Sequence, residues 1–373
     1  RPVQIIVDTL ATRVSDPAVT VVGFAGTVEV EGTTLNFRLT RGRLPHSEFG
    51  GEGKVFWPEG PPMYDFALDG RAVDLTDLRW ISPSFPAMAG HAKITARSIS
   101  GTRTDFRLDQ LSLAGADGRV DGGVTALVDD RRGVGVDRMA LTLTDLDLDV
   151  ARPYLDSLPF HGTLTGTLAG GGFLDSLDVD LDWTFRDAAV PGRPDSHVSA
   201  AGHLAFGGPE GTRFDSVTLR QSDFALATVR RVAPAVPLEG RLTAAGVLSG
   251  YWTDLAFTGT ATHQDGELPV STAVGLMRID TRSAATGFTV DVVLEPLAFD
   301  GIRRDLPRLS ASGTVRGHLA LSGTAERMRV DADLAGALGT VRARGGLGDD
   351  TTGWHAESLT VRFAGLDTRA LTG

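Results

Sequence analysis

Two runs of aspartate at every second position are the residues of this sequence whose spacing most resembles a site of chemistry. They are Asp145, Asp147 and Asp149 in the first run, and Asp178, Asp180 and Asp182 in the second. Both runs match the opening D-x-D-x-D of a calcium-binding loop, in which carboxylate oxygens coordinate the ion. The rest of each run decides whether a calcium site follows.

A calcium loop also needs glycine at its sixth position and glutamate at its twelfth, for a sharp turn and a bidentate ligand. The first run has Val150 and Asp156 at these positions, and the second has Trp183 and Ala189. Neither run fits a calcium loop. We therefore predict that the aspartates form the solvent-facing side of strands, where their charge keeps a sheet soluble.

Other catalytic signatures are missing from the sequence. The eight histidines are scattered, and there is no H-E-x-x-H pair, G-x-S-x-G elbow or P-loop. The glycine-rich stretch "GGEGKVF", residues 50–56, leads toward a strand-like pattern and not a helix, so it offers no helix dipole to a phosphate and is interpreted as a turn. We predict a protein that is not an enzyme and that has no metal or cofactor.

Composition excludes further classes. The chain of 373 residues has a net charge of −11, with 36 basic and 47 acidic residues, which argues against a nucleic-acid partner. It has no cysteine, and 42% of its residues are apolar, enough for a large core. No apolar run is long enough to span a bilayer as a helix, and no signal peptide is recognisable. Because the sequence begins with Arg1, we expect a mature form or an internal fragment of a longer protein.

Strict alternation of apolar and polar residues runs through most of the chain and predicts β-strands. The clearest example is the stretch from residue 177 to 185, in which Leu177, Val179, Leu181, Trp183 and Phe185 alternate with polar residues. Helical spacing occurs only in short connectors such as "VARPYLDSLPF" and "GIRRDLPRLSAS", where proline limits a helix to a turn or two. The sequence therefore predicts an all-β fold with short helical connectors.

A unit of roughly seventy-five residues recurs along the chain. A glycine precedes an apolar alternating segment at Gly101, Gly172, Gly250 and Gly323, at intervals of 71, 78 and 73 residues. Before each such segment, a Leu- and Asp-rich strand leads into a proline-containing connector. We predict one elongated repeat domain over residues 1–373, with approximate units 1–80, 81–150, 151–228, 229–301 and 302–373.

These units resemble the repeats of the AsmA-like superfamily, in particular the TamB-type proteins of the translocation and assembly module. The resemblance rests on the "dL...lP.l.G" outline of "LDVARPYLDSLPFHG", on the following G-x-L-x-G-x-L strand, and on an L-x-V-x-L strand after the second glycine. It implies a U-shaped sheet with an apolar groove that moves phospholipid acyl chains between the inner and outer membranes. It also implies a periplasmic location, an inner-membrane anchor and an outer-membrane β-barrel partner, both reached through terminal regions, and a role in outer-membrane biogenesis.

On this interpretation, apolar side chains of the alternating strands line the groove and bind lipid. The predicted lining residues are Phe106, Leu108, Leu177, Val179, Leu181, Trp183, Phe185, Leu255, Phe257, Met328, Val330 and Leu334. Two alternatives stay open at this point. The first is a structural or docking component for outer-membrane protein assembly with a sealed β core, and the second is a β-solenoid adhesin.

Overall fold

The alternating segments fold as antiparallel strands joined by short turns. The structure is a computed structural model, and it describes residues 3–15, 18–60, 62–80, 83–153, 160–208, 210–233, 236–305, 311–324, 326–336, 339–350 and 353–365. This part of the chain contains 21 strands and two short α-helices. The predicted all-β fold with short helical connectors is confirmed.

The chain divides into two compact units, Arg1–Ala189 and Val190–Gly373. The strands of the first unit are β1 (Val3–Ser15), β2 (Ala18–Glu31), β3 (Thr34–Arg43), β4 (Glu48–Phe56), β5 (Met63–Asp74), β6 (Met88–Ser100), β7 (Arg103–Gly115), β8 (Gly118–Asp129), β9 (Gly133–Asp147), β10 (Gly162–Phe173) and β11 (Ser176–Asp187). Each of these strands pairs antiparallel with the next one in sequence.

The second unit repeats this arrangement. Its strands are β12 (Asp195–Gly208), β13 (Gly211–Ala225), β14 (Arg241–Tyr251), β15 (Asp254–Gln264), β16 (Ser271–Asp280), β17 (Gly287–Ala298), β18 (Thr314–Thr324), β19 (Arg327–Gly336), β20 (Gly339–Asp350) and β21 (Gly353–Ala364). They too pair in sequence order and antiparallel. Such an order brings every strand next to its sequence neighbour, which is the arrangement that tight turns favour.

Because strand direction alternates, the ends of the strands in each unit lie along two opposite sides of the sheet. We call these two sides edges, although they are not the outermost strands. One edge, which we call the hairpin edge, carries the turns that follow β2, β4, β6, β8 and β10 in the first unit and β12, β14, β16, β18 and β20 in the second. The opposite edge, which we call the connector edge, carries the longer connections 75–87, 148–161, 226–240 and 299–313.

The helical connectors recur with a regular spacing. They begin with the 3₁₀ turns Leu75–Leu78 and Leu148–Ala151 and with the helices α1 (Leu226–Val232) and α2 (Phe299–Ile302), which places their starts 73, 78 and 73 residues apart. These intervals agree with those between the repeated glycines of the sequence. One structural repeat is thus four strands and a short helical connector. The prolines of two connectors, within residues 154–159 and 306–310, lie outside the described residues.

Three of these connectors begin in the same way. The backbone N–H of the residue that ends the preceding strand donates to a serine hydroxyl one hairpin earlier: Asp74 to Ser47 at 2.9 Å, Ala225 to Ser196 at 3.0 Å and Ala298 to Ser271 at 3.0 Å. At the second connector, the N–H of Asp147 donates to the carbonyl of Asp117 instead, at 2.8 Å. Each bond gives a partner to the backbone N–H of the last strand residue, which has no partner in the neighbouring strand at the point where the chain turns.

The best-packed core lies at the connector edge of each unit. In the first unit, Val73, Met88 and Leu113 are buried together, and Leu75 of the 3₁₀ turn packs against them. In the second unit, Phe299 of α2 packs with Val315 over strands β18 to β20. The connectors therefore cover one end of the apolar strands.

The stretch "GGEGKVF" is not a turn, and that prediction was wrong. Residues 50–56 lie inside β4. Gly51 has a φ of +142°, and a Cβ there would lie 2.2 Å from the carbonyl oxygen of Ala67 on the neighbouring strand. A Cβ at Gly53 would lie 2.1 Å from Cδ1 of Phe66, so the ring of Phe66 occupies the space above this glycine. These glycines allow close approach within the sheet, and do not mark its end.

Candidate functional site

Residues 177–185 of β11 show how side chains divide between the two faces of the sheet. In β11, Leu177, Val179 and Leu181 are each 8% exposed, whereas the three aspartates between and after them are exposed. Phe185 is 7% exposed and Trp183 is half-buried. We call the side of the sheet that carries these apolar residues the inner face, and the opposite side the outer face.

Strand pairing extends the inner face across the first unit, since directly paired residues share a face. One cross-strand row leads from Phe106 through Ala126, Val136 and Gly172 to Leu177. The neighbouring row includes Leu108 and its partner on β8, Val124. The predicted lining residues of β7 and β11 therefore lie on one continuous apolar surface.

In the second unit, we call inner the face that carries Leu255 and Phe257. Four of the five predicted residues of this unit, all except Leu334, lie on two such rows. One row runs from Leu255 through Ile279, Phe288 and Gly323 to Met328. Four strand spacings of about 4.8 Å separate its ends, or about 19 Å.

The other row runs from Phe257 through Met277, Val290 and Leu321 to Val330. Every residue of this row is apolar and half-buried. The ring of Phe257 lies on two neighbouring glycines, since a Cβ at Gly246 or at Gly259 would lie 2.9 Å from it. The two rows together form an apolar strip across strands β15 to β19.

Burial along the inner face changes from one edge to the other. On β9 of the first unit, Leu143 near the connector edge is 5% exposed, Leu141 and Met139 are half-buried, and Val134 at the hairpin edge is 53% exposed. On β8, Val128 at the hairpin edge is 41% exposed. The inner face of these strands is covered at the connector edge and open at the hairpin edge.

The second unit shows the same gradient. Val292 and Leu294 of β17 are 2% and 5% exposed near the connector edge, whereas Ile279 of β16 is 41% exposed near the hairpin edge. The predicted lining residue Leu334 lies toward the connector edge and packs against the cluster formed by Phe299 and Val315. Leu334 therefore belongs to the covered end of the inner face.

Strand β11 departs from this gradient, because Leu177 and Val179 are buried although they lie near the hairpin edge. At the other end of the strand, the ring of Phe185 lies edge-on to that of Phe160 in the preceding connector, with ring centres 5.7 Å apart. On the inner face of β11, Leu177, Val179, Leu181 and Phe185 are thus buried and Trp183 is half-buried. The other predicted lining residues Phe106, Leu108, Leu255, Phe257, Met328 and Val330 are all half-buried.

The outer face carries Arg–Asp pairs beside exposed apolar residues such as Leu276 and Val293. Arg344 lies 2.7 Å from Asp331, and Arg119 lies 2.6 Å from Asp121. The hydrogen bond from Arg119, together with one from Ser112, lowers the pKa of Asp121 to about 2. Exposed pairs of this kind contribute little to stability individually, but they add charge to the outer face.

The aspartate runs lie in strands β9 and β11 and at the start of a 3₁₀ turn. Asp147 precedes the 3₁₀ turn and accepts a hydrogen bond from the N–H of Asp149 at 2.9 Å. Among the described residues, no group of three or more His, Asp or Glu side chains is arranged to hold a metal ion. Within the same residues, no helix has the length and apolarity needed to cross a membrane.

Sequence reasoning missed the polar residues of the inner face. His263 is 5% exposed, and one of its ring nitrogens, Nε2, lies 2.7 Å from the carbonyl oxygen of Glu239. Tyr64, Ser98 and Thr104 also lie on the inner face, at the hairpin edge of the first unit. The sequence did offer one signal: each of these polar residues stands at a strand position where the alternation predicts an apolar residue.

Comparison of the chain with models of protein families, with curated proteins and with solved structures found no match. The resemblance to the AsmA-like superfamily stays a prediction from the sequence.

Proposed function

We propose that this protein carries phospholipid acyl chains on its inner face and performs no catalysis. The observation that supports this function best is that each unit, described by itself, has an apolar surface whose exposure rises from the connector edge to the hairpin edge. A sheet that served only as a core would be expected to cover both ends of its apolar strands. Here Val134 and Ile279 expose 53% and 41% of their surface on the inner face.

The energetics favour such a use. Each methylene that leaves water for an apolar surface contributes about 0.8 kcal/mol, so a lipid chain of ordinary length gains on the order of ten kcal/mol. The row from Phe257 to Val330 offers an apolar residue at every strand. A chain bound there can move to the next strand without crossing a charged side chain.

The biological setting of the proposal comes from the sequence resemblance alone. AsmA-like proteins of the TamB type work in the periplasm and support outer-membrane biogenesis. We propose the same location here, with phospholipids as ligands, an inner-membrane anchor in the full-length protein and an outer-membrane β-barrel as a partner.

One observation favours a second function, that of a docking component with a sealed core. Leu177, Val179 and Leu181 are each 8% exposed, so this part of the inner face is covered by protein. The β-solenoid adhesin has less support, because a solenoid stacks coils of about twenty residues in parallel. The strands described here pair antiparallel with their sequence neighbours.

Lipid retention separates the first two functions. The purified chain is analysed by native mass spectrometry and by solvent extraction, beside two variants of adjacent residues on β16: Met277→Asp on the inner face and Leu276→Asp on the outer face. We expect phospholipid on the wild type and on Leu276→Asp, and a large loss on Met277→Asp. The exposed inner-face variant Ile279→Asp repeats the test at a position where an aspartate does not have to be buried. A wild type free of lipid, or inner-face variants that keep it, would refute the proposal.

A further inference from the structure

Three hydroxyl groups interrupt the apolar inner face of the first unit at its hairpin edge. Tyr64, Ser98 and Thr104 lie on the adjacent strands β5, β6 and β7 and share one cross-strand row, since Ser98 pairs with Thr104 and the N–H of Tyr64 donates to Ser98 Oγ at 3.1 Å. The hydroxyl of Tyr64 donates to Thr104 Oγ1 at 3.2 Å. The partner of Tyr64 on β4 is the apolar Val55, and that of Thr104 on β8 is Val128.

Two hydrogen-bond donors of this row are left over. A serine or threonine hydroxyl has one donor and two acceptor positions. Ser98 and Thr104 each use an acceptor position toward Tyr64, and neither O–H has an acceptor among the residues that the structure describes. Ser98 and Thr104 are half-buried, so their O–H groups face water. Two adjacent donors beside an apolar surface match an amphiphile with acceptor oxygens, which can replace that water.

The surface beside the hydroxyl row is aromatic. One step toward the connector edge, Phe66 has its ring centre 6.0 Å from that of Tyr64 and 6.2 Å from that of Phe37. Phe106 lies on the same row as Phe66, with Ala96 between them. The hydroxyls thus lie at the open edge of the inner face, with an apolar surface directly behind them.

We propose that Ser98 and Thr104 form a headgroup subsite, which donates hydrogen bonds to the ester or phosphate oxygens of a phospholipid while its acyl chain lies over Phe66 and Phe106. The inference rests on the proposed function, since it names where a bound lipid is held. The subsite sets the orientation of the lipid: its polar end is at the hairpin edge and its chain points toward the covered connector edge.

Two amphiphiles with the same sixteen-carbon chain test the subsite. Palmitoyl-lysophosphatidylcholine has ester and phosphate oxygens, and hexadecyltrimethylammonium has no acceptor. Their affinities are measured by titration calorimetry for the wild type, for the double variant Ser98→Ala/Thr104→Val, for Thr104→Val alone, and for Thr142→Val, which changes an exposed outer-face residue of β9. Thr104→Val is nearly isosteric and keeps the bond between Tyr64 and Ser98, so it decides the question if the double variant does not fold.

We expect the double variant to bind the lysophospholipid about tenfold more weakly and Thr104→Val about threefold more weakly. Binding of hexadecyltrimethylammonium should change less than twofold in all variants, and Thr142→Val should bind both probes like the wild type. Equal losses for both probes, or no loss for the lysophospholipid, would overturn the subsite while leaving lipid binding intact. If neither probe binds the wild type, the proposed function fails, and the subsite fails with it.

Discussion

The inner face should tolerate a charge where it is open and reject it where it is covered. Leu181→Asp on β11 and Val134→Asp on β9 test this contrast within the first unit. Leu181 is 8% exposed, whereas Val134 is 53% exposed. Both residues point to the inner face, so the two variants differ mainly in how far the new carboxylate is removed from water.

The magnitudes follow from these exposures. Burial of a leucine side chain contributes about 2 to 3 kcal/mol, and an unpaired carboxylate in its place adds a desolvation cost of similar size. We therefore expect Leu181→Asp to lower the free energy of unfolding by about 4 kcal/mol or more. Val134→Asp should lower it by about 1 kcal/mol, because half of the valine is already in water. Leu181 is thus a position of the core, and Val134 is the better place to test the groove.

Urea denaturation and hydrogen exchange of the strands β9 to β11 measure the two changes. Exchange is needed because the units of repeat proteins can unfold separately. A loss below about 1 kcal/mol for Leu181→Asp would show that β11 is not covered in solution. Losses of similar size for the two variants would refute the difference in burial between β11 and the hairpin edge of β9.

Three further predictions concern the sheet itself. The hydrogen bond from Arg282 lowers the pKa of Asp280 to about 2 from its usual 3.8. This pair therefore stabilises the folded chain above about pH 4, and the stabilisation is lost as the pH falls through about 2. Acid titration followed by hydrogen exchange near β16 should show this loss in the wild type and not in Arg282→Gln. Gly166→Ala should destabilise the first unit strongly, because Gly166 has a φ of +151° and a new Cβ would lie 2.2 Å from the carbonyl oxygen of Asp182; Gly23→Ala meets no atom within 4 Å and should leave the melting temperature nearly unchanged. Ser271→Ala should cost about 1 to 3 kcal/mol by leaving the buried N–H of Ala298 without its acceptor, and a loss no larger than that of Ser249→Ala on the outer face of β14 would contradict it.

The sequence was sufficient for the strands and the repeat, because both depend on local patterns. Leu177 to Phe185 alternate without a break, and β11 follows this alternation residue by residue. The connector spacing followed from Gly101, Gly172 and Gly250. Period-two patterning fixes which residues share a face, so every predicted lining residue lies on the inner face.

The burial of each inner-face residue could not be predicted, because it depends on contacts between elements that are distant in sequence. The alternation of β11 and β17 does not distinguish Leu181, which is buried, from Val290, which is half-buried, since both strands follow the same pattern. The packing of Leu334 against α2 depends on how the connector folds back. "GGEGKVF" was misassigned because glycine occurs both in turns and at close contacts between strands. The ring of Phe66 over Gly53 identifies a close contact here, and the sequence does not show that contact.

The most direct test of lipid carriage is a map of where a bound acyl chain touches the protein. A phospholipid with a diazirine near the end of one acyl chain is loaded onto the wild-type chain, activated by light, and located by mass spectrometry of the digested protein. Lipid carriage on the inner face predicts labels on half-buried inner-face residues such as Phe257, Met277 and Val290, and few on outer-face residues such as Asp180 and Arg344. Labels spread equally over both faces, or no labels above those on a denatured control, would contradict it.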